Sequence, residues 1–138
     1  MTYFEKLFNS LSIAGGIVGG FLCSNLGGCD VILNALIALV ILDYTTGILK
    51  AIATKTLSSQ IGFVGLIRKV VIFIVIATAV QVQNVVGDSI PLREIVIIFF
   101  MCNEGISLLE NASYFVPIPE KLKETLIQLR DKEETEHE

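Results

Sequence analysis

Long apolar stretches alternate with short polar interruptions along this chain, and the lengths of the stretches set the first expectation. The hydrocarbon core of a bilayer is about 30 Å thick, and a helix needs roughly 20 mostly apolar residues to cross it. Four windows approach that length. Leu7 to Cys29 is uncharged throughout, and Val31 to Leu49 is interrupted only by Asp43. Val70 to Gly87 is uncharged and rich in Ile and Val, whereas Ile95 to Leu109 is shorter and contains Glu104. The second and third windows are the plainest spans. The fourth is expected either to cross or to lie half-buried at the membrane interface. The run Val70, Val71, Ile72, Ile74, Val75 and Ile76 would also suit a buried strand. An open strand in lipid leaves backbone groups without partners, so a helix is expected there. The periodicity therefore predicts an all-α membrane protein with three to four transmembrane helices.

Beyond the fourth window, Pro117 and Pro119 stop one helix and start another, Pro119 suiting a first helical position. Leu122, Leu126 and Leu129 follow at helical spacing, which predicts a short amphipathic C-terminal helix. From Asp131 onward the chain is charged and is expected to be disordered. Two segments result, a transmembrane domain over 1–119 and a charged tail over 120–138. Lys6 ahead of an apolar run resembles a secretory signal, but no A-x-A-like site follows. Gly20-Phe21-Leu22-Cys23 is likewise a poor lipoprotein cleavage site, so the segment is expected to stay in the mature protein.

Charge sharpens the picture. Of 138 residues, 53% are hydrophobic and 17% charged, against about 25% charged in ordinary soluble domains. Eleven of the 24 charged side chains fall in residues 120–138, and only eleven serve residues 7–119. So few charges cannot cover a water-facing surface, which excludes a soluble globular domain. The stretch from Lys50 to Lys69 carries Lys50, Lys55, Arg68 and Lys69 and no acid. A short basic loop of this kind sets topology and marks the cytoplasmic side. Asp30 and the Gly87-Asp88-Ser89-Ile90-Pro91 segment then lie outside, and four spans would leave both termini inside.

Several polar and small residues within the windows invite a role. Ser12, Gly16, Gly20 and Ser24 recur every four residues, with Gly15 and Gly19 as a second ladder beside them. Small residues at that spacing let helix backbones approach closely in lipid, either within one chain or between copies. Asp43, Gly47 and Lys50 share one helix face. An acid at that depth is costly and turns toward protein or water. It would pair with a cation such as Lys50, or else line a pore or an oligomer contact. Asn103, Ser107, Glu110 and Asn111 form a polar stripe with Glu104 at its margin, opposite Ile98, Met101, Leu108 and Leu109. Thr78, Gln81 and Asn84 end the third window in similar fashion. Such stripes fit a water-filled lumen and an interhelical hydrogen-bond set equally well.

Catalytic chemistry finds little support, and no enzyme activity is expected. His137 stands in the acidic tail. Cys23, Cys29 and Cys102 have no C-x-x-C spacing and no accompanying His, so neither a zinc site nor any other cofactor is expected. Their odd number argues against a complete intramolecular disulfide set.

Four motifs in order resemble a known family. They are Leu42-Asp43-Tyr44-Thr45-Thr46-Gly47; Lys55-Thr56-Leu57-Ser58-Ser59-Gln60-Ile61-Gly62-Phe63-Val64-Gly65 with Arg68-Lys69; Asn103-Glu104-Gly105-Ile106-Ser107-Leu108-Leu109-Glu110-Asn111; and Val116-Pro117-Ile118-Pro119. Together they resemble the toxin-secretion/phage-lysis holins over residues 10–126, with the acidic tail outside the pattern. Phe115-Val116 precedes the proline motif, where the family pattern has a Gly before the Val-Pro. The resemblance implies a small multi-pass protein of the bacterial cytoplasmic membrane that forms homo-oligomers and permeabilises the bilayer. A cell-wall hydrolase (an endolysin), or in clostridial relatives a large toxin, would leave through the pores. It implies no nucleic-acid partner and no catalytic residue. By position, Asp43, Gly47, Asn103, Glu104, Ser107, Glu110 and Asn111 would serve assembly or lumen lining. A small ion- or proton-coupled transporter using Asp43 or Glu104, and a membrane adaptor acting through its tail, are the rival expectations.

Overall fold

The computed structural model describes residues 2–135, and all regular structure among them is helical. There are five helices: α1 (Tyr3–Asn25), α2 (Val31–Ala53), α3 (Ser59–Val86), α4 (Leu92–Ala112) and α5 (Glu120–Thr135). Three of them, α1 to α3, are long and apolar enough to cross a membrane. At 1.5 Å per residue they measure about 34, 34 and 42 Å.

Polar residues at the helix starts set the boundaries. Thr2 caps α1 in a capping box, its hydroxyl accepting from the Glu5 N–H while the Glu5 carboxylate accepts from the Thr2 N–H at 2.8 Å. The Asp30 carboxylate accepts from the Leu33 N–H at 3.1 Å, and the Ser58 hydroxyl accepts from the Ile61 N–H at 3.2 Å. Each cap satisfies a backbone donor that the first helical turn leaves open. Ser58 has a large consequence, because it starts α3 eleven residues before the apolar window at Val70. Of the four basic residues assigned to the topology-setting loop, only Lys55 stands between helices. Lys50 lies in the last turn of α2, whereas Arg68 and Lys69 belong to α3, and Lys69 is buried. The tail also differs from expectation. α5 continues through Asp131 to Thr135, while the prediction for His137 lies outside the described residues.

The core lies between α2, α3 and α4. Leu33, Leu36, Val40, Ile72, Ile76 and Ile97 are buried together, with Phe73, Val96, Phe100 and Met101 packed around them. α4 is the least lipid-like of the four long helices in composition, yet it packs on α2, α3 and α5. Leu126 of α5 crosses α4 at Gly105, where an added Cβ would stand 3.0 Å from the leucine methyl.

α1 is the exception, for none of its residues is buried. Nothing lies within 4 Å of a Cβ built at Gly15, Gly16, Gly19 or Gly20, so neither small-residue ladder is packed against the rest of the chain, although Gly19 borders the groove between α1 and the bundle. α1 is fastened at its C-terminal end, where Cys23 and Cys29 form a disulfide that the cysteine spacing had not foretold. Six residues separate the pair, a distance closed by a turn through Gly27 and Gly28 at φ +79° and +101°.

Arg93, the second residue of α4, clamps this turn. Its guanidinium donates to the Leu26 carbonyl at 2.6 Å, to the Gly28 carbonyl at 3.0 Å, and to both Asp30 oxygens at 2.8 and 3.0 Å. Its backbone N–H donates to Gln83 of α3 at 2.9 Å, so one residue gathers three connections. The guanidinium hydrogen bonds hold the Asp30 carboxyl down to about 2, and the pair stays charged at any physiological pH. The two turn glycines should therefore differ in their tolerance of substitution. Both need a positive φ, which costs a non-glycine residue about 1–2 kcal/mol, but a Cβ at Gly27 would also meet the Arg93 side chain at 2.5 Å. Gly27→Ala should lower the thermal unfolding midpoint of the detergent-solubilised protein further than Gly28→Ala, as followed by circular dichroism.

Candidate functional site

The most polar place inside the bundle is built by three helices. Asp43 of α2, Lys69 of α3 and Glu104 of α4 are 5%, 9% and 6% exposed. Each is expensive to bury alone in an apolar medium. The helices bring them together. The Lys69 ammonium donates to Asp43 Oδ2 and to Glu104 Oε2, bridging two carboxylates. Asn111, two turns along α4 from Glu104, donates to Asp43 Oδ1 at 3.2 Å. Lys69 thus serves two carboxyl groups at once, and the Asn111 amide supports the one on Asp43.

Its surroundings explain several small residues. A Cβ at Gly47 would sit 3.5 Å from the Asn111 amide, an ordinary contact distance, so Gly47 lies directly beside the hydrogen bond to Asp43. The Tyr44 hydroxyl donates to the Gly62 carbonyl at 3.2 Å, and its ring lies against Gly65, holding the C-terminal half of α2 to the first turns of α3. A cavity of about 160 Å³ adjoins the cluster, lined by Asp43, Tyr44, Gly47, Arg68, Lys69 and Asn111.

The structure thus unites Asp43, Gly47, Glu104 and Asn111 from the sequence-derived set and separates the others. Asn103 and Ser107 lie half-buried on the flank of α4. Glu110 is exposed and pairs with Lys123 of α5 at 2.9 Å. The cation that meets Asp43 is Lys69 from the next helix, not Lys50 from its own. Lys50 is two turns, about 10 Å, further along α2 toward its end, whereas Lys69 faces Asp43 directly across the helix pair. Spacing along α2 could not reveal that partner. Ser58, read as an N-cap, would have placed Lys69 three turns inside α3 rather than in a loop.

Removing one member of such a cluster leaves the others buried without compensation, at a cost of about 3–5 kcal/mol. Lys69→Met should destabilise the detergent-solubilised protein by about that amount. The triple variant Asp43→Asn, Lys69→Met and Glu104→Gln should recover most of the loss, because no ionised group is then stranded. Denaturant unfolding of the single and triple variants measures both, and equal losses would show that the charges do not act as a unit.

Comparison with known proteins bears on the same elements. Residues 20–131, which include α2 to α4 and the whole cluster, match the family model described as "Bacteriophage holin family". A 14.9 kDa protein of Clostridium perfringens is 41% identical over 108 residues, covering 77% of this chain and 82% of that protein. A protein of Listeria innocua is 34% identical over 113 residues, covering 81% and 79%. A probable holin of Bacillus phage phi105 is 32% identical over 95 residues, covering 68% of this chain and 70% of the phage protein. No solved structure matches. With three helices fit to cross a bilayer and a family match that spans the charge cluster, the chain is a membrane protein and belongs to the bacteriophage holin family.

Proposed function

We propose that the protein is a non-catalytic holin of the bacterial cytoplasmic membrane, forming homo-oligomeric pores through which an endolysin or a large toxin leaves the cell. Family membership supports the class. The observation that carries the mechanism is the contrast between a bundle whose charges are satisfied internally and a spanning helix whose small-residue face has no partner within the chain.

In this reading Lys50, Lys55 and Arg68 keep their end of the bundle in the cytoplasm. The Cys23–Cys29 bridge and the Arg93–Asp30 clamp stand outside, where disulfides persist. α4 makes the fourth crossing, shielded by its neighbours, and α5 returns to the cytoplasmic side. Copies meet first through Ser12, Gly16, Gly20 and Ser24, with Gly15 and Gly19 alongside. Asn103, Ser107 and Glu110, on the flank of α4, then turn toward water as copies assemble. Asp43, Glu104 and Asn111 follow when α2, α3 and α4 separate, since water or a neighbouring copy can take over their hydrogen bonds.

The direct test is expression in a bacterium carrying a voltage-sensitive dye, with and without an endolysin. Abrupt depolarisation, followed by lysis only when the endolysin is present, is expected. Slow growth without depolarisation would contradict the reading. Substrate-dependent proton flux in vesicles that retain protein-sized markers would identify a transporter instead.

The α1 face gives a second, independent prediction. Because nothing in the chain lies near these glycines, Gly16→Leu with Gly20→Leu should leave the unfolding midpoint of the monomer unchanged or slightly raised. The same pair should strongly reduce cross-linked oligomers in membranes. Undiminished cross-linking would move the interface elsewhere.

A further inference from the structure

α1 is held to the rest of the chain by very little. It buries no residue. Between it and the bundle runs an apolar groove of about 570 Å³, lined among others by Leu22, Cys23, Leu33, Ile37, Phe73 and Ile74. What fixes its angle is concentrated at its C-terminal end, in two devices that act on different residues.

The first device is the Arg93 guanidinium, which grips the Leu26 and Gly28 carbonyls and the Asp30 carboxylate. It holds the turn and the start of α2, but reaches no residue of α1. The second is the Cys23–Cys29 disulfide, whose Cα atoms are 5.2 Å apart. Cys23 lies within the last turn of α1 and Cys29 just before the Asp30 cap, so this bond is the covalent cross-link between the helix itself and the clamped turn, beside backbone hydrogen bonds from the Leu26, Gly27 and Gly28 N–H groups to the Leu22, Ser24 and Cys23 carbonyls. With the bond open, Arg93 would still hold residues 26–30, and α1 would be kept at its angle only by those three backbone hydrogen bonds at its last turn, so that it could swing where it meets Leu26. Cys29 is exposed and Cys23 partly buried, so an incoming thiolate reaches Cys29 first.

We propose that Cys23 and Cys29 form a thiol–disulfide switch that sets the angle of α1 and thereby its fit against a second copy of this chain. The oxidised bond holds α1 beside α3. Opening it frees the helix axis, so that the Ser12, Gly16, Gly20 and Ser24 face, already open in the oxidised chain, can align with the same face of another copy. The inference rests on the proposed role of that face in assembly and on the outward placement of the turn.

The chemistry balances as ordinary exchange. In closing, the two thiols give up two protons and two electrons, and the disulfide of an extracytoplasmic thiol oxidoreductase accepts them and becomes a dithiol. In opening, a thiolate of an external dithiol attacks the Cys29 sulfur and Cys23 leaves as a thiolate that takes a proton. The second thiol of the attacker resolves the mixed disulfide, which leaves the attacker oxidised.

The test uses the full-length protein in bacterial membranes and then in detergent. Denaturation in maleimide should add one label, at Cys102, before reduction and three after treatment with dithiothreitol. On spheroplasts treated with dithiothreitol, a membrane-impermeant maleimide should add two. Self-association is then measured by energy transfer between labelled copies. Reduced wild type and Cys23→Ser with Cys29→Ser should associate about fivefold or more tightly than oxidised wild type, the low end of ordinary coupling between sites. Cys102→Ser should keep the redox response. Reduced wild type guards against a folding defect in the double variant. Three labels without reduction, or equal association of oxidised and reduced wild type, would overturn the switch. Absence of depolarisation in cells would instead overturn the holin reading, since neither the label count nor the association measurement depends on it.

Discussion

One ammonium group between two carboxylates constrains the whole bundle. Lys69 of α3 bridges an acid of α2 and an acid of α4, and all three side chains are nearly inaccessible. A buried ion pair adds little net stability when weighed against desolvation, and apolar replacements often do as well. Its value here is selectivity. Sliding α3 by one turn, or rotating α4 by a quarter turn, would place an unpaired charge against lipid or apolar side chains. The register that joins Lys69 to both Asp43 and Glu104 also puts Asn111 beside Gly47 and Tyr44 beside Gly62 and Gly65.

α4 shows why this arrangement was only half legible. Arg93, Ile97, Glu104 and Asn111 fall on one helical face, and that face meets the bundle. Two polar residues that limit or interrupt its apolar window, Arg93 and Glu104, are therefore turned inward, one to the clamp on the turn before α2 and one to the cluster. Hydropathy counts them as though they met lipid, so the most enclosed of the long helices looked the least suited to the membrane. The stripe drawn from Asn103 to Asn111 blurred the same distinction. Asn111 points into the bundle, whereas Glu110, one residue earlier, is exposed and meets α5.

What could be read from sequence was local. Four long helices, the small-residue ladders and the tail helix follow from period and composition, because each depends on residues a few positions apart. Asp43 was recognisable as a buried acid for the same reason. Its partner was not, because Lys69 is 26 residues away and stands beside Arg68 in what reads as a basic loop. The disulfide escaped for a different reason. A spacing of six residues matches no metal or redox motif, and only the left-handed turn at Gly27 and Gly28 makes closure possible.

The two halves of the molecule imply an order of events under the proposed function. Opening the cluster separates Lys69 from its acids, which is costly until water or a neighbour supplies new hydrogen bonds. Moving α1 uncovers no buried residue, because α1 has none, and asks only that the Cys23–Cys29 bond open. Association through α1 is therefore the inexpensive first step, and it gathers copies while each bundle stays closed. Crowding of closed bundles then brings the half-covered polar flanks of neighbouring α4 helices together, and these can hold the first water between copies. Only at that stage can the charge cluster open without leaving an ion in lipid. A chain with its charges satisfied internally and one helix left unpartnered can thus accumulate harmlessly and still be poised to permeabilise.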